Sequence, residues 1–338
     1  MAETEKIRLA HGSGGRLSRE LVDKVFLRYF GGSELARLDD AAVLSASSRR
    51  LAFTTDAYVV QPLFFPGGDI GRIAVCGTVN DLSVKGAKPK WISAAFVLEE
   101  GLPIADLKRI CASMRRAAQE AGVEIVTGDT KVVEKGKADG IFIATAGVGE
   151  ISGSAVIGAA KVQPGDAVLV SGPVGAHGVA VLNARHGLGL KSAIKSDAAP
   201  LNALTAAVLK ASRNVHAMRD LTRGGLAGAL VEIAGSAGVG IELEAEAVPV
   251  SEQVRAASAL LGLDPLYSAN EGRLVCFVPK KDAQSVLKAM HSRPEGRGAA
   301  IVGHVPGRAR GGAVLLKTGV GGARKLILAE GEQLPRIC

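Results

Sequence analysis

Glycine recurs throughout this chain, at 43 of its 338 positions, whereas aromatic side chains account for only 4% of the residues. Glycine allows the backbone conformations that tight turns require, because it has no Cβ atom. We therefore expect a core of Ala, Val, Ile and Leu on elements joined by many turns. The apolar fraction of 47% is typical of a globular protein, and the length is enough for two domains.

Apolar periodicity predicts a succession of strands and helices. An apolar segment at 51–56 indicates a buried strand that ends at Asp56. Pro103 precedes a strongly amphipathic helix, and 123–127 indicates a strand that runs into a tight turn at 128–131. Further strands are predicted at 91–98, 141–148, 167–171, 274–278, 300–305 and 313–317, and further helices at 18–29, 71–84, 200–210, 226–237 and 282–290.

A stretch rich in glycine and serine, at 147–158, interrupts this succession. Such composition is typical of a linker, so we place a domain boundary there. The predicted organisation is an N-terminal domain at 1–150, a C-terminal α/β domain at 151–330 and a mobile tail at 331–338.

Composition also excludes several classes of protein. No apolar run is long enough to span a bilayer, and the charged start of the chain does not resemble a signal peptide. The net charge is +8, but the basic segment at 293–325 has no aromatic residues for stacking on bases, so nucleic-acid binding is not indicated. The four cysteines are scattered and form no CxxC pair, which fits a reducing cytoplasmic location.

Carboxylates are concentrated near the start of the chain. Asp39, Asp40, Asp56 and Asp81 lie at three places in the first 81 residues, each beside apolar sequence. A single such acid is usually a cap or turn residue, but the set suggests a cation site. Neither a G-x-x-x-x-G-K-[ST] loop nor a G-x-G-x-x-G fingerprint is present. If the protein handles phosphate, it does so with scattered glycine loops and Mg²⁺ held by carboxylates.

The chain ends in Pro335-Arg336-Ile337-Cys338, so a thiol lies on the final residue. Terminal residues are hard to bury unless they are tied down, and the preceding segment at 329–334 is mostly polar. We interpret the tail as a movable arm that carries a nucleophile. The alternative is a cysteine that is exposed by accident.

Taken together, these motifs resemble the hydrogenase-maturation carbamoyl dehydratases, a family within the aminoimidazole ribonucleotide synthetase-like ATP-binding superfamily. The resemblance covers essentially the whole chain, and the terminal cysteine separates this family from its ATP-using relatives. The motifs that carry it are His11-Gly12-Ser-Gly-Gly, Asp39-Asp40-Ala-Ala, Phe53-Thr-Thr-Asp56, Pro66-Gly-Gly-Asp-Ile-Gly71, Gly77-Thr-Val-Asn-Asp81, Thr127-Gly-Asp-Thr-Lys131, Asp220-Leu-Thr-Arg-Gly-Gly225 and Pro-Arg-Ile-Cys338.

The resemblance implies a two-domain α/β (α+β) fold and a homodimer whose N-terminal domains pair their strands. It also implies that ATP and Mg²⁺ bind to the N-terminal acids. A partner carbamoyltransferase would load a carbamoyl group onto Cys338, and ATP would dehydrate this group to a thiocyanate. The cyano group would then pass to iron on a partner scaffold complex and become a ligand of the [NiFe]-hydrogenase active site.

The resemblance also assigns roles to individual residues. Cys338 is the expected nucleophile, Glu271 the base and Lys131 an assisting group. Without the resemblance, Glu271 would be a solvated turn residue and Lys131 a surface lysine. The expected metal ligands are Asp40, Asp56, Asp81 and Asp129, and the expected nucleotide-binding residues are His11, Gly12, Asp39, Asp40, Asp56, Asn80, Asp81, Asp129 and Arg223. Cys76, Cys111 and Cys276 lie in apolar patterns and are expected in the core.

Two other functions remain open from the sequence. A small-molecule kinase or synthetase of the same superfamily would use the acids but not Cys338. A non-catalytic carrier in metallocentre assembly would use the arm but would need no nucleotide chemistry.

Overall fold

The computed structural model describes residues 6–12, 16–32, 35–37, 44–47, 50–152, 157–188, 194–319, 321–329 and 337. Asp39, Asp40 and Cys338 lie outside these residues, as does most of the predicted tail. The helices are α1 (Arg16–Leu21), α2 (Leu27–Phe30), α3 (Ile70–Val84), α4 (Ile104–Ala121), α5 (Ala176–His186), α6 (Asn202–Ala211), α7 (Gly225–Ala237), α8 (Glu252–Leu261) and α9 (Ala283–His291). The strands are β1 (Leu51–Tyr58), β2 (Phe64–Phe65), β3 (Gly68–Asp69), β4 (Ala87–Glu99), β5 (Glu124–Val133), β6 (Ile141–Ile151), β7 (Asp166–Val170), β8 (Ala217–Asp220), β9 (Gly240–Glu244), β10 (Leu274–Pro279), β11 (Ala300–His304), β12 (Ala313–Lys317) and β13 (Ala323–Leu326).

The N-terminal sheet has the strand order β1-β6-β4-β5, in which only β4 and β5 run parallel. Its inner face packs on α3 and α4. Both helices have the apolar faces predicted from the sequence. On α4, for example, Ile104, Leu107, Ile110 and Met114 are buried. The left-handed conformation of Gly122 then ends α4, because glycine has no Cβ to oppose it.

The outer face of this sheet is largely apolar, and at one end of it the backbone N–H and the hydroxyl of Ser47 donate to the buried carboxylate of Glu150. Strand register places Phe53, Val148 and Trp91 in one row across it, and Ala57, Ala144 and Ala95 in another. Phe53 is 71% exposed. Because only one face is covered, β1 alternates between exposed and less exposed positions rather than being buried throughout.

The C-terminal sheet has the order β13-β12-β9-β11-β7-β10-β8 and is covered on both faces. Alternate residues of its central strands therefore enter two different apolar clusters. Val168 and Val170 pack with residues of α7, whereas Ala167 and Leu169 pack with residues of α6 and α9. All five residues of β7 are consequently buried.

The structure corrects two predictions about these elements. The strand predicted to be buried and to end at Asp56 continues to Tyr58 and is exposed on one side, because the outer face of the sheet is uncovered. The predicted turn at 128–131 lies within β5, which continues to Val133 because it pairs with β4 over its whole length. The predicted helix at 18–29 is present as α1, a π-helical turn at Val22–Phe26 and α2.

The sequence analysis missed several short elements, namely β8, β9, α8 and β13. In the part of the chain that the structure describes, no helix is both long and apolar enough to cross a membrane.

Candidate active site

A small cavity lies where the N-terminal sheet and α3 meet the loops of the C-terminal half. Its polar lining comes from both halves of the chain. These residues are Asp56, Tyr58, Asp81, Asp220, Thr222, Arg223 and Glu271.

The first half positions two carboxylates through β1 and α3. Thr54 and Asp56 are two residues apart on β1, so both point to the inner face and towards α3. The Thr54 hydroxyl donates to Asp81 Oδ2 near the end of α3, at 2.7 Å. The Tyr58 hydroxyl donates to Asp56 Oδ2 at 2.8 Å. This arrangement requires Gly77, because a Cβ there would lie 2.2 Å from the Tyr58 hydroxyl oxygen.

The carboxyl groups raise one another's pKa values across the cavity. Burial, together with the charge of Asp56, raises the pKa of Asp81. Burial and then the charge of Asp81 raise the pKa of Asp220 from 3.8 to about 7. The pKa of Tyr58 is raised by burial and by the charges of Asp56 and Glu271. The cavity therefore favours a cation or a positively charged partner.

The second half contributes Glu271 from a loop that is held on several sides. Glu271 is 2% exposed, and its backbone N–H donates to Asp197 Oδ1 at 2.9 Å. Its carbonyl accepts a hydrogen bond from the Ala199 N–H at 3.2 Å. The next residue must be glycine, since a Cβ at Gly272 would lie 2.0 Å from the Asp197 carbonyl oxygen. Glu271 is thus a fixed, buried carboxyl group and not the solvated turn residue that the sequence alone suggested.

Asn80 lies behind the cavity and connects α3 to this loop. Its amide nitrogen donates to the carbonyls of Ala199 and Glu271, and its amide oxygen accepts from the Leu201 N–H at 2.7 Å. The side chain is buried, and its contacts join the two halves of the chain. The predicted contact of Asn80 with a nucleotide stays a prediction, and the structure gives it a positioning role beside Glu271.

Asp129 and Lys131 lie elsewhere in the same protomer. Lys131 Nζ and Asp129 Oδ2 form an exposed ion pair at 2.8 Å, which lowers the pKa of Asp129. In the strand register Asp129 lies opposite Ala95, which is on the outer face of the sheet. Lys131 follows two residues later on the same strand, so both residues of the ion pair lie on the outer face. Asp56 lies on the inner face, at the opposite edge, and three strand spacings separate the edges by roughly 14 Å along the sheet. One protomer therefore does not bring Asp129 to the ion that Asp56 and Asp81 would bind.

His11 belongs to the same distant edge. The short helical turn that carries it, at Leu9–Gly12, packs against β5. The ring accepts a hydrogen bond from the Arg8 N–H at Nδ1, at 2.9 Å. The predicted site residues thus form two groups, one around Asp56, Asp81 and Glu271 and the other around Asp129 and Lys131.

Within the described ranges, no group of three or more His, Cys, Asp or Glu side chains has the arrangement of a complete metal site. Of the predicted ligands that the structure describes, Asp56 and Asp81 line the cavity, together with the unpredicted Asp220, and Asp129 does not. Cys76, Cys111 and Cys276 are fully buried, as expected from the sequence.

Sequence reasoning missed Tyr58, Asp220 and Thr222 as cavity residues. Asp220 ends β8 and precedes two glycines at the start of α7, a context that the motif at 220–225 already contained. An acid at a strand end before a glycine-rich helix start was therefore an available signal. Tyr58 gave no such signal, because its position depends on the close approach of β1 to Gly77.

Two protein-family models together match most of the chain. Residues 38–151 match the N-terminal domain of AIR synthase related proteins, and residues 163–315 match the C-terminal domain of the same family. The fold and the carboxylate-lined cavity thus define an AIR synthase-related protein of two domains.

More similar relatives narrow this assignment. The chain is 53% identical to the carbamoyl dehydratase HypE of Rhodobacter capsulatus, over 99% of this chain and 98% of that protein. It superimposes with a TM-score of 0.94 on the hydrogenase maturation protein HypE in complex with ATP, at 48% identity, covering 98% of this chain and 99% of that one. A structure of a HypE–HypF complex matches at 45% identity with a TM-score of 0.80, over 91% of this chain and 99% of that one. The chain belongs to the HypE carbamoyl dehydratase family.

The raised pKa of Asp220 predicts a pH-dependent stability. The folded protein keeps a proton on Asp220 up to about pH 7, whereas the unfolded chain loses it near 3.8, so this group makes the free energy of unfolding fall as pH rises between these values. We expect Asp220→Asn to remove this contribution, so the stability of the variant relative to wild type should rise from pH 4 to pH 7. Urea unfolding at several pH values measures the difference.

The control is Asp282→Asn, since hydrogen bonds from Ser212 and Asn214 lower the pKa of Asp282. Its relative stability should not rise over the same pH range. A constant difference between Asp220→Asn and wild type would contradict the raised pKa of Asp220 in the buried cavity.

Proposed function

We propose that this chain uses ATP and Mg²⁺ to dehydrate an S-carbamoyl group on Cys338 to a thiocyanate. The cyano group then becomes a ligand of the iron in the [NiFe]-hydrogenase active site. The observation that carries the proposal is one cavity in which a buried, fixed carboxyl group, Glu271, faces the carboxylates Asp56 and Asp81 and the guanidinium of Arg223. The likeness to a carbamoyl dehydratase and to an ATP complex gives the chemistry that this cavity would perform.

The reaction replaces a carbon–oxygen bond by a carbon–nitrogen triple bond. The carbamoyl oxygen attacks the γ-phosphorus of ATP and ADP leaves, which turns a poor leaving group into a good one. The amide nitrogen then loses its two protons while phosphate departs with the carbamoyl oxygen. The products are the thiocyanate, ADP and phosphate, and the protein loses one water in mass.

Glu271 is the group placed to take a proton from the nitrogen. Asp197 and Ala199 hold the backbone of Glu271, and its side chain is buried, so few positions are open to the carboxylate before the substrate arrives. Preorganisation of this kind reduces the reorganisation that proton transfer would otherwise require. Arg223, which lines the same cavity, would stabilise the negative charge that develops on the transferred phosphoryl group.

The cavity carboxylates fit a magnesium ion. The pKa values of Asp81 and Asp220 are raised by burial and, in addition, by the charges of the neighbouring carboxylates, Asp56 for Asp81 and Asp81 for Asp220. A divalent cation would offset this repulsion, and Mg²⁺ commonly binds one or two carboxylates while it shares the phosphates of a nucleotide. When bound, it would neutralise phosphate charge. Asp39 and Asp40, which lie outside the described residues, remain proposed contributors from the first domain.

We also propose a homodimer that joins the outer faces of two N-terminal sheets. The exposed row formed by Phe53, Val148 and Trp91 gives each copy an apolar surface that a second copy would cover. Asp129 and Lys131 lie on this same face, at its edge. In such a dimer they would enter the partner's site, which would explain why one protomer separates them from Asp56 and Asp81. His11 and Gly12, which pack against β5, would accompany them.

The remaining partners follow from the chemistry of the arm. A carbamoyltransferase must load Cys338, and the similarity to the HypE–HypF complex supports such a partner. An iron-carrying scaffold complex must accept the cyano group. We propose a cytoplasmic location, because a reducing compartment keeps the reacting thiol free.

Mass measurement of the carbamoylated protein tests the reaction. On addition of ATP and Mg²⁺, the wild-type mass should fall by the mass of one water. Glu271→Gln keeps the size of the side chain but removes the base, so its rate should fall by about 10²- to 10⁴-fold while nucleotide affinity changes little. Gln119→Ala, an exposed position on α4, is the control variant and should react like wild type.

Removal of Cys338 separates the alternatives. A small-molecule kinase or synthetase would keep its turnover without the thiol, and a non-catalytic carrier would consume no ATP in step with the mass change. Either result would contradict the dehydratase proposal, as would a wild-type protein that is fully loaded and does not lose water.

Mixed dimers test whether the site is shared between copies. Asp81→Asn and Lys131→Ala should each be inactive alone. If Asp81 and Lys131 of one site come from different copies, each mixed dimer regains one intact site, and an equal mixture should recover about a quarter of wild-type activity. If both residues of a site come from one copy, the mixture should stay inactive. Two affinity tags, one per variant, would confirm that mixed dimers have formed.

A further inference from the structure

The first turn of α5, directly after a glycine-rich loop, contains a histidine that the proposed chemistry does not use. His177 is fully buried, and Phe65 contacts its ring edge to face with a centroid distance of 5.4 Å. Its Nε2 lies 2.8 Å from the carbonyl oxygen of Ile337, the residue before Cys338. A side chain 160 residues earlier in the sequence thus binds the backbone of the arm.

The surrounding hydrogen bonds determine which ring nitrogen carries the proton. A carbonyl oxygen only accepts, so Nε2–H must be the donor to Ile337. Nδ1 lies 2.8 Å from Ser196 Oγ, and this oxygen accepts from the Ala198 N–H at 3.1 Å. Burial lowers the pKa of His177 and so favours the neutral ring, which has its proton on Nε2; Nδ1 then accepts a hydrogen bond from the Ser196 hydroxyl.

Ile337 has an apolar seat in addition to this polar contact. Its side chain is 4% exposed and belongs to the apolar cluster that contains Val181, Ala198 and Ala269. Ala198 lies next to Asp197, which binds the Glu271 N–H, and Ala269 accepts a hydrogen bond from the Gly178 N–H. The seat of the arm and the loop that holds Glu271 are therefore parts of one packed unit.

We propose that His177 is a positioning residue that seats the arm by donating a hydrogen bond to the carbonyl of Ile337. Because a backbone atom is the acceptor, the contact depends on the depth to which the arm enters and not on the side chains of the arm. The hydrogen bond sets the position of the Ile337 carbonyl relative to the loop that carries Glu271. The proposal deepens the proposed function, since it concerns the arm whose terminal thiol carries the reacting group.

Thiol labelling tests this seat without ATP and without turnover. Cys76, Cys111 and Cys276 are fully buried, and burial raises the pKa of each thiol, so a small maleimide should label Cys338 selectively. His177→Phe keeps a ring against Phe65 but removes the donor. We expect it to increase the labelling rate roughly two- to tenfold, the effect of one buried hydrogen bond on the equilibrium between seated and released arm.

Two further variants distinguish the loss of the hydrogen bond from a general packing defect. His177→Gln restores an N–H donor and should return the labelling rate towards that of wild type, which a general packing defect would not do. His186→Phe, at the exposed end of the same helix, should label like wild type. An unchanged rate in His177→Phe, or an equal increase in His177→Gln, would overturn the proposal.

A measurement on the unaltered side chain covers the case in which His177→Phe fails to fold. In ¹⁵N-histidine-labelled wild type, His177 should give an Nε2–H signal that is protected from exchange with water. Removal of residues 337 and 338 should abolish the protection and leave the fold intact. An Nε2–H that is equally protected in both proteins would count against the contact. If the variants show the expected labelling rates but the wild-type protein has no dehydratase activity, the proposed function is contradicted and the role of His177 is not.

Discussion

The site depends on carboxyl groups that are held close together where water is partly excluded. Asp56 and Asp81 are brought to one cavity by β1 and α3, and Asp220 reaches it from the other half of the chain. Burial, and then the charge of Asp81, raises the pKa of Asp220 to about 7. β1, α3 and β8, which carry the three groups, are held by strand pairing and by packing between the two halves of the chain. Such a cavity has a strong preference for positive charge, which a nucleotide accompanied by Mg²⁺ would satisfy.

The two sheets differ in how many of their faces are covered and in which site residues they position. The C-terminal sheet is covered on both faces and provides a rigid platform for the loops that hold Asp220 and Glu271. The N-terminal sheet is covered on one face only, and its apolar outer face carries Asp129 and Lys131 at the edge. A functional group on an uncovered apolar face is well placed to act on a neighbouring copy. In the proposed homodimer, formation of the dimer would therefore also complete the site.

Much of this architecture was predictable from the sequence. The spacing of Ile104, Leu107, Ile110 and Met114 predicted α4, and the terminal motif together with the scattered acids indicated the family. The segment at 51–56 was predicted to be a buried strand, and its exposure on one side was not predictable, because apolar residues fit both a core and an interface. The continuation of β5 through Asp129 depends on pairing with β4, which local turn signals do not reveal. Tyr58 and Asp220 became cavity residues only through contacts between distant segments.

The account's central claim is that ATP removes the carbamoyl oxygen by phosphorylating it. The most direct test loads Cys338 with carbamoyl that contains ¹⁸O, adds unlabelled ATP and Mg²⁺, and measures the isotope in the products. The account predicts that the phosphate released will carry the ¹⁸O in step with formation of the thiocyanate. Release of the label as water, with unlabelled phosphate, would contradict it.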